Sequence, residues 1–393
     1  MREQRGHVRV ALARKSENTI DDIECIEPCG HHTPRKKKGP VNRKLGSPYV
    51  ETQDAMRRSS RRFASTAGSS LASLVGSANR RAPALIAPQQ NVSYTYEELD
   101  LMARCLASGL EDVGYKPGSV ALSDVPNVAE NIVLQLALSH VGAAIMTPPK
   151  DAAALGALLE KYDVCGIICV DATAAWLEHA EAIAHHRIPI VNLEASDAGP
   201  RPASATVDFR ELLLHCPPRG GSPVAVEGSL LGVYGGSALT HGEAITLGRQ
   251  AVTKLHLTSA DVVCASITLM HAFGIGSAVS SALSAGASVV LPAVGGIRGC
   301  GVPAQRASVT VEVLERTGAT VLFGDTHTLQ AMRELGDPPG TAPEGLKLRT
   351  GVIKIGSGSS FLDRVLEVPS SKGGGAPMPL KYGGVAMLAM GKA

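Results

Sequence analysis

The sequence predicts an α/β fold: two serial α/β subdomains with mainly parallel sheets. Short apolar strand patterns alternate with helical patterns from residue 95 onward, and the loop-like segment DAGPRPASA divides this alternation into two sets. The chain has 393 residues, of which 44% are hydrophobic, so it can bury more than one core. We therefore expect a globular protein.

The first set begins at Thr95, where TYEE has the pattern of a helix capping box and apolar residues recur at helical spacing until Gly114. Strand patterns follow at SVALSD, AAIMT, CGIICVD and IPIVNLE. Between them lie the helical patterns NVAENIVLQLALSHVG, DAAALGALLEKYD and TAAWLEHAEAIAHH. Alternation of this kind favours a parallel sheet that is covered by helices on both faces.

The second set runs from about residue 240 to residue 355. Its strand patterns are DVVCASI, ASVVLPA, ATVLFG and LRTGVIKI. A second subdomain of the same class is therefore expected after the first.

Residues 1–55 mix charges and prolines without apolar periodicity, so we expect them to be disordered or to be an over-extended gene model that precedes a true start at Met56. Residues 56–84 contain six arginines and no acidic residue. This composition is typical of a mitochondrial transit segment, and an ordinary basic linker is the alternative. The expected localisation is mitochondrial if translation starts at Met56 and cytoplasmic otherwise.

The composition excludes several classes of function. The net charge is only +2, and the basic run RKKKGPVNRK at 35–44 has no interleaved aromatic residues, so we expect no nucleic-acid partner. The most apolar stretch is interrupted by serine and glycine, so we expect no membrane span. The spacing of cysteines and histidines within residues 25–32 matches no common zinc template, so no metal site is predicted there.

Five segments stand in a characteristic order between residues 85 and 362: YTYEELDLMARC and its continuation through the KPG turn, LTHGEA, DVVCASITLMHAFGIGS, ATVLFGDTHTLQAM, and LRTGVIKIGSGSSFL. This order resembles the N-terminal domain of AMP-binding, acyl-CoA synthetase-like enzymes, which form adenylates. The resemblance implies activation of a carboxylic acid, a fatty acid above all, with ATP and Mg to an acyl-AMP. It further implies transfer of the acyl group to coenzyme A.

The phosphate loop of that family, of the form T-S-G-T-T-G-x-P-K-G, is shortened in this sequence. Between Tyr234 and the LTH segment the chain has only the residues GGSA and no lysine. The remnant can still offer backbone N–H groups to a phosphate at a helix N-terminus, or it is a tight strand-to-helix turn without a ligand. Its candidate phosphate-binding residues are Gly235, Gly236, Ser237 and Thr240.

Two other places carry candidate ligand-binding residues. His271 aligns with the family histidine that lines the acyl and adenylate pocket, and Gly274 suits a close backbone approach there. A core histidine is the alternative. Gly356, Ser357 and Gly358 match the family's adenine-side turn, and they would also suit a plain loop.

The C-terminal part departs from the family. The segment KYGGVAM echoes only the tyrosine and glycine of the family's YGxTE motif, and residues 363–393 are interpreted as a Gly/Pro-rich tail. No catalytic residue is assigned. Two functions stay open: an acyl-CoA synthetase relative that acts when a partner chain supplies the missing C-terminal domain, and a catalytically inactive binding or interaction relative.

Overall fold

The structure is a computed structural model that describes residues 70–76, 78–149, 152–170, 188–193, 206–234, 237–293, 302–363, 365–369 and 377–392. Within these ranges the chain forms two large, mainly parallel sheets with helices packed on them. The predicted α/β class is therefore confirmed. The expectations for residues 1–55, for most of 56–84 and for the helical pattern TAAWLEHAEAIAHH fall outside the described residues.

The first sheet has seven strands in the order β7-β6-β5-β3-β4-β8-β9. Its strands are β3 (Val120–Ser123), β4 (Ala144–Met146), β5 (Val164–Cys169), β6 (Ile190–Asn192), β7 (Thr206–Asp208), β8 (Leu230–Tyr234) and β9 (Ser237–Thr240). All neighbours are parallel except β8 and β9. The strands predicted in the first set are confirmed.

The second sheet has eight strands in the order β14-β19-β13-β12-β10-β11-β1-β2. Its strands are β1 (Pro83–Ala87), β2 (Val92–Thr95), β10 (Val262–Ala265), β11 (Ser288–Val290), β12 (Val321–Asp325), β13 (Thr350–Ile355), β14 (Ser360–Leu362) and β19 (Leu388–Gly391). Two short antiparallel pairs lie apart from it: β15 (Glu367–Val368) with β16 (Met378–Pro379), and β17 (Lys381–Tyr382) with β18 (Val385–Ala386). Because β1 pairs with β11, the beginning of the domain joins the later sheet.

The described helices are α1 (Leu71–Gly76), α2 (Tyr96–Asp112), α3 (Ala129–Val141), α4 (Ala152–Lys161), α5 (Phe209–His215), α6 (His241–Leu255), α7 (Ser280–Ala285), α8 (Pro303–Thr317) and α9 (Thr326–Leu335). A π-helix, Ala272–Val279, leads into α7. The capping box predicted at Thr95 is present, and Thr240 forms a second one at the start of α6. The largest core cluster contains residues of both sheets and of the helices between them.

Helix α1 lies inside the segment that the sequence suggested as a transit segment. Leu71 and Leu74 are buried in the main core, and the Leu71 N–H donates to Nδ1 of His241 over 3.2 Å. Burial lowers the pKa of His241 to about 3, which keeps the ring neutral and able to accept this bond. The described domain therefore begins before residue 85.

Strand β19 lies inside residues 363–393, which were interpreted as a tail. It inserts between β13 and β14, parallel to the first and antiparallel to the second. The signal for this strand is weak because its four residues follow a glycine-rich stretch. The KYGGVAM segment forms the separate β17–β18 pair, with Tyr382 buried.

Three buried amide side chains, which we call the buried amide cluster, join the two sheets: Asn127, Asn131 and Gln135. The Asn127 amide donates to Ile267 O over 2.5 Å and accepts from Leu269 N–H over 2.9 Å. Gln135 donates to Oδ1 of Asn131 and accepts from the Tyr234 hydroxyl on β8.

Asn131 in turn donates to the carbonyls of Val125 and Pro126. The segment after β10 is thus tied to α3 and to β8 by hydrogen bonds that are shielded from water, where an unpaired group would be costly.

Asp261 and Arg349 form a bidentate ion pair in the second sheet, directly before the first residues of β10 and β13. Arg349 donates to Oδ1 of Asp261 over 2.9 Å and to Oδ2 over 2.8 Å, and also donates to the carbonyl of Leu255. Thr258 N–H and the Thr320 hydroxyl complete the hydrogen bonds to the carboxylate. The pair therefore joins the end of α6, the entry to β10 and the entry to β13.

The buried amide cluster predicts a stability effect at Asn127. The Asn127→Ala variant leaves a buried carbonyl and a buried N–H without partners, so its free energy of unfolding should fall by about 3 kcal/mol. Urea unfolding followed by circular dichroism measures the difference. The matched control is Asn79→Ala at an exposed position, which should change stability by less than about 0.5 kcal/mol. A loss below about 1 kcal/mol at Asn127 would show that the cluster does not hold the sheets together.

The ion pair predicts a pH dependence. Burial disfavours the Asp261 carboxylate, but the hydrogen bonds from Arg349, Thr258 and Thr320 outweigh burial and lower its pKa to about 2. The charged form therefore stabilises the fold above the ordinary carboxyl pKa of about 4, and this contribution of about 2 kcal/mol is lost as the pH falls toward 2.

The free-energy difference between the wild type and Asp261→Asn should accordingly be largest above pH 4 and shrink toward pH 2. Urea titrations at several pH values measure it. Asp163→Asn, which removes half of an exposed pair with Lys116, is the control and should show no such trend. A pH-independent difference at Asp261 would contradict the assignment.

Candidate functional site

The carboxyl ends of four neighbouring strands meet at one edge of the eight-stranded sheet. Strands β10, β12, β13 and β19 lie side by side and are parallel. Residues that close or follow these strands lie along this edge, which we call the carboxyl edge; the residues of interest there are His271, Asp325, Lys354 and the turn 356–358. In open α/β sheets ligands bind outside the carboxyl ends of the strands.

His271 stands at the N-terminus of the π-helix. The Phe273 N–H donates to Nδ1 of His271 over 3.0 Å, so the neutral ring carries its hydrogen on Nε2. Burial and then the positive charge of Lys354 lower the pKa of His271, which favours this neutral form. The half-buried ring can therefore donate one hydrogen bond from Nε2 to a ligand oxygen. π-Helical turns are frequent at functional sites.

Gly274 is held in close contact with the chain before it. A Cβ atom at Gly274 would overlap the carbonyl oxygen of Thr268, so only glycine fits at this position. The close backbone approach that the sequence suggested is thus made to the segment after β10, which Asn127 holds from the other side. Gly274 positions the π-helix.

The turn after β13 contains the three residues predicted beside the adenine. Gly356 and Gly358 have positive φ values of 56° and 84°, which only glycine adopts without strain. A Cβ atom at Gly358 would lie 2.7 Å from Lys392 N, so the turn packs against the end of β19. Ser357 is exposed between the two glycines. The structure therefore brings His271 and this turn to the same edge.

Lys354 on β13 was not predicted from the sequence. Its side chain is 7% exposed, and its Nζ atom has no hydrogen-bond partner among the described residues. The signal was a single lysine inside the apolar run TGVIKI, but burial of that side chain could not be inferred from one strand pattern. Lys354 brings a cation to the carboxyl edge.

The shortened loop lies on the other sheet. Strands β8 and β9 pair antiparallel with Tyr234 opposite Ser237, so a strand pair replaces the direct strand-to-helix turn. Gly235 and Gly236 fall outside the described residues. Ser237 is exposed, and Thr240 is occupied in its capping box, where it accepts from Glu243 N–H over 3.2 Å.

The hairpin lies close to the π-helix. A Cβ atom at Gly276 would lie 3.6 Å from Leu239 Cδ2, so β9 packs beside the segment that begins with His271.

A groove with a volume of about 580 Å³ lies between α6 and β14. Its wall residue Phe361 pairs with Met390, which pairs with Lys354, so Phe361 and Lys354 point to the same face of the sheet. The groove is lined by Thr246, Arg249, Gln250, Thr253, Lys254, Ser360 and Phe361.

The described ranges contain no cluster of three His, Cys, Asp or Glu side chains that could hold a metal ion. The Asp325 carboxylate at the carboxyl edge accepts from Thr328 N–H and caps α9. We assign no step to a magnesium ion. None of the helices that the structure describes has the length and apolar character needed to span a bilayer.

Residues 75–221 match the family described as "AMP-binding enzyme". The chain is 26% identical over 232 residues to 4-coumarate–CoA ligase 3 of Oryza sativa subsp. japonica, which covers 53% of this chain and 39% of the rice enzyme. It is 24% identical over 219 residues to 4-coumarate–CoA ligase of Pinus taeda, again covering 53% of this chain and 40% of that enzyme. The matched part thus spans about two fifths of the length of these relatives.

Solved structures share the fold. MbtA of Mycobacterium smegmatis superposes with a TM-score of 0.58 at 18% identity over 77% of this chain and 55% of that one. A benzoate CoA ligase of Burkholderia xenovorans LB400 gives a TM-score of 0.57 at 18% identity over 74% of this chain and 56% of that one. Part of the chain is thus similar in sequence to AMP-binding enzymes, and its fold is that of the superposed structures.

Proposed function

We propose that the protein is an acyl-CoA synthetase-like protein whose carboxyl edge binds a carboxylic acid as its adenylate. The observation that carries the proposal is the meeting of His271, the π-helix and the turn 356–358 at the carboxyl ends of parallel strands. An acyl adenylate has a charged acyl-phosphate centre between its acyl group and its adenosine. The Nε2–H of His271 is a fixed donor for an oxygen of that centre.

The acid that we propose is aromatic. Phe273 and Phe323 lie with ring centroids 5.7 Å apart beneath the carboxyl edge, so the buried layer under this edge is aromatic. The relatives described above act, by their names, on 4-coumarate and benzoate. The fatty acid suggested by the sequence resemblance is the alternative substrate, and matched ligands separate the two.

ATP and coenzyme A are included in the proposal because the enzymes that this chain resembles use them. ATP would supply the adenylyl group and coenzyme A the accepting thiol, and a partner chain carrying a C-terminal domain would complete the reaction. The residues of this chain would orient the acid and its adenylate and exclude water from the acyl centre.

A catalytically inactive binding relative is the second candidate, and the β8–β9 strand pair favours it. In this region Ser237 and Ala238 take part in strand pairing, and Thr240 caps α6. No lysine stands between Tyr234 and Thr240 to meet the departing pyrophosphate.

The first prediction of the proposal concerns adenylate binding. A benzoyl-sulfamoyl adenosine, which mimics an aryl adenylate, should bind more tightly than ATP, because the β- and γ-phosphates need the shortened loop. At 100 times its dissociation constant it should stabilise the protein by about 2.7 kcal/mol in a thermal-shift assay. A decanoyl analogue should shift the midpoint less. A larger shift with the decanoyl compound would favour the fatty acid.

Two substitutions at His271 separate ligand binding from folding. Asparagine is a good helix N-cap and can accept the Phe273 N–H, so His271→Asn should fold normally but bind the mimic about tenfold more weakly, since the Nε2 donor is lost. His271→Ala loses both roles. His215→Ala, at an exposed position on α5, is the control. Unchanged affinity in His271→Asn would remove this residue from the site.

A further prediction concerns the release of pyrophosphate from ATP. The purified chain should release no pyrophosphate from ATP with benzoate, 4-coumarate or decanoate, because the loop that stabilises the leaving pyrophosphate is shortened. A coupled pyrophosphate assay measures the rate, and an active 4-coumarate–CoA ligase provides the positive control. Acid-dependent turnover by this chain alone would reject the inactive candidate and show that the short hairpin suffices.

A further inference from the structure

The ammonium group of Lys354 is buried at the carboxyl edge without a partner. The side chain is only 7% exposed, and its Nζ atom makes no hydrogen bond to any described residue. Val352, two positions earlier, faces the main core between the sheets, so Lys354 points to the same side. Its Nζ atom lies 5.9 Å from the ring centroid of Phe273, which is fully buried.

The neighbours of Lys354 do not neutralise its charge. Asp325 is its register partner on β12, but that carboxylate accepts from Thr328 N–H and makes no hydrogen bond to Nζ of Lys354. Met390 is its partner on β19 and is apolar. His271 is neutral or adds a like charge. The face of Phe273 gives only a weak cation–π attraction, which does not replace lost hydration.

A buried, unpaired cation is costly, so its presence at a ligand edge points to an anionic group that completes it. Burial lowers the pKa of Lys354, and an anion beside it would raise this pKa again. The ligand and the charged form of the lysine would therefore stabilise each other.

The depth of Lys354 indicates which end of the ligand it meets. Ser357, in the turn expected beside the adenine, is exposed, whereas Lys354 lies two residues before Gly356 and approaches the buried ring of Phe273. The carboxylate that becomes adenylated must meet the nucleotide at the open end. A group that reaches Lys354 therefore belongs to the far end of the acid.

We propose that the acid bound at this edge carries a second anionic group, a carboxylate on its aromatic ring, and that Lys354 binds it. This inference rests on the proposed function and makes Lys354 a specificity-determining residue for a dicarboxylic aromatic acid.

The test compares ligands of equal shape that differ in one charge. Isothermal calorimetry measures the binding of 1,3- and 1,4-benzenedicarboxylate to the protein. The affinity of each is compared with that of its own monoamide. For at least one isomer, the wild type should bind the dicarboxylate at least tenfold more tightly than its monoamide. Lys354→Met keeps the length of the side chain and removes the charge, so it should bind both members of the pair equally. Lys347→Met, at an exposed position before β13, should keep the wild-type preference.

A second readout does not depend on a ligand. Because Lys354→Met removes an unpaired buried cation, the variant should unfold at a higher temperature than the wild type. A lower unfolding temperature would show that the lysine already has a partner in the free protein, and would overturn the proposal.

Other outcomes also overturn it. Equal binding of dicarboxylate and monoamide by the wild type rejects the second anionic group, while a benzoyl-sulfamoyl adenosine that still binds leaves the proposed function intact. Titrations with AMP and with adenosine test whether Lys354 binds the phosphate of the adenylate instead. If Lys354→Met weakens AMP but not adenosine, the lysine serves the adenylate phosphate and not the acid.

Discussion

The architecture depends on the buried amide cluster of Asn127, Asn131 and Gln135. Two sheets that each bury an apolar face could slide against each other, because apolar contacts are not directional. The amides fix the relative position: Asn127 holds both a carbonyl and an N–H of the segment after β10, and Gln135 holds the Tyr234 hydroxyl on β8. A shift of either sheet would leave buried polar groups unpaired.

This constraint determines where the candidate site can form. The segment that Asn127 holds leads directly into His271 and the π-helix, and Gly274 allows that helix to return against Thr268. On the other side, the ion pair of Asp261 and Arg349 fixes the entries of β10 and β13. His271 thus lies at the start of the π-helix and Lys354 lies on β13. Both elements are held in place by hydrogen-bonded side chains, as preorganised binding requires.

Much of the fold could be predicted from local patterns. The capping box at Thr95, the strand patterns and the alternation with helices depend on neighbouring residues, and the structure confirms them. Strands β9 and β19 were not predicted because each follows a glycine-rich segment, which favours a turn or loop. The entry of β1 into the later sheet was missed because strand order depends on pairing between residues distant in sequence.

Residues of the candidate site could be predicted only where a family motif marks them. His271 and the turn 356–358 lie in segments with a recognisable order, whereas Asn127 and Lys354 have no motif of their own. Their roles follow from burial and from the partners that they have or lack. In other sequences, a lysine inside an apolar strand pattern indicates a candidate ligand-binding residue, because a lysine is rarely buried without a partner.

Amide hydrogen exchange tests most directly whether the carboxyl edge is the ligand site. The protein is exchanged alone and in the presence of saturating benzoyl-sulfamoyl adenosine, and protection is compared segment by segment. We expect added protection in residues 266–279 and 352–360, and little change in the β8–β9 pair. Protection confined to that pair or to the α6–β14 groove, or no protection at all, would contradict the account.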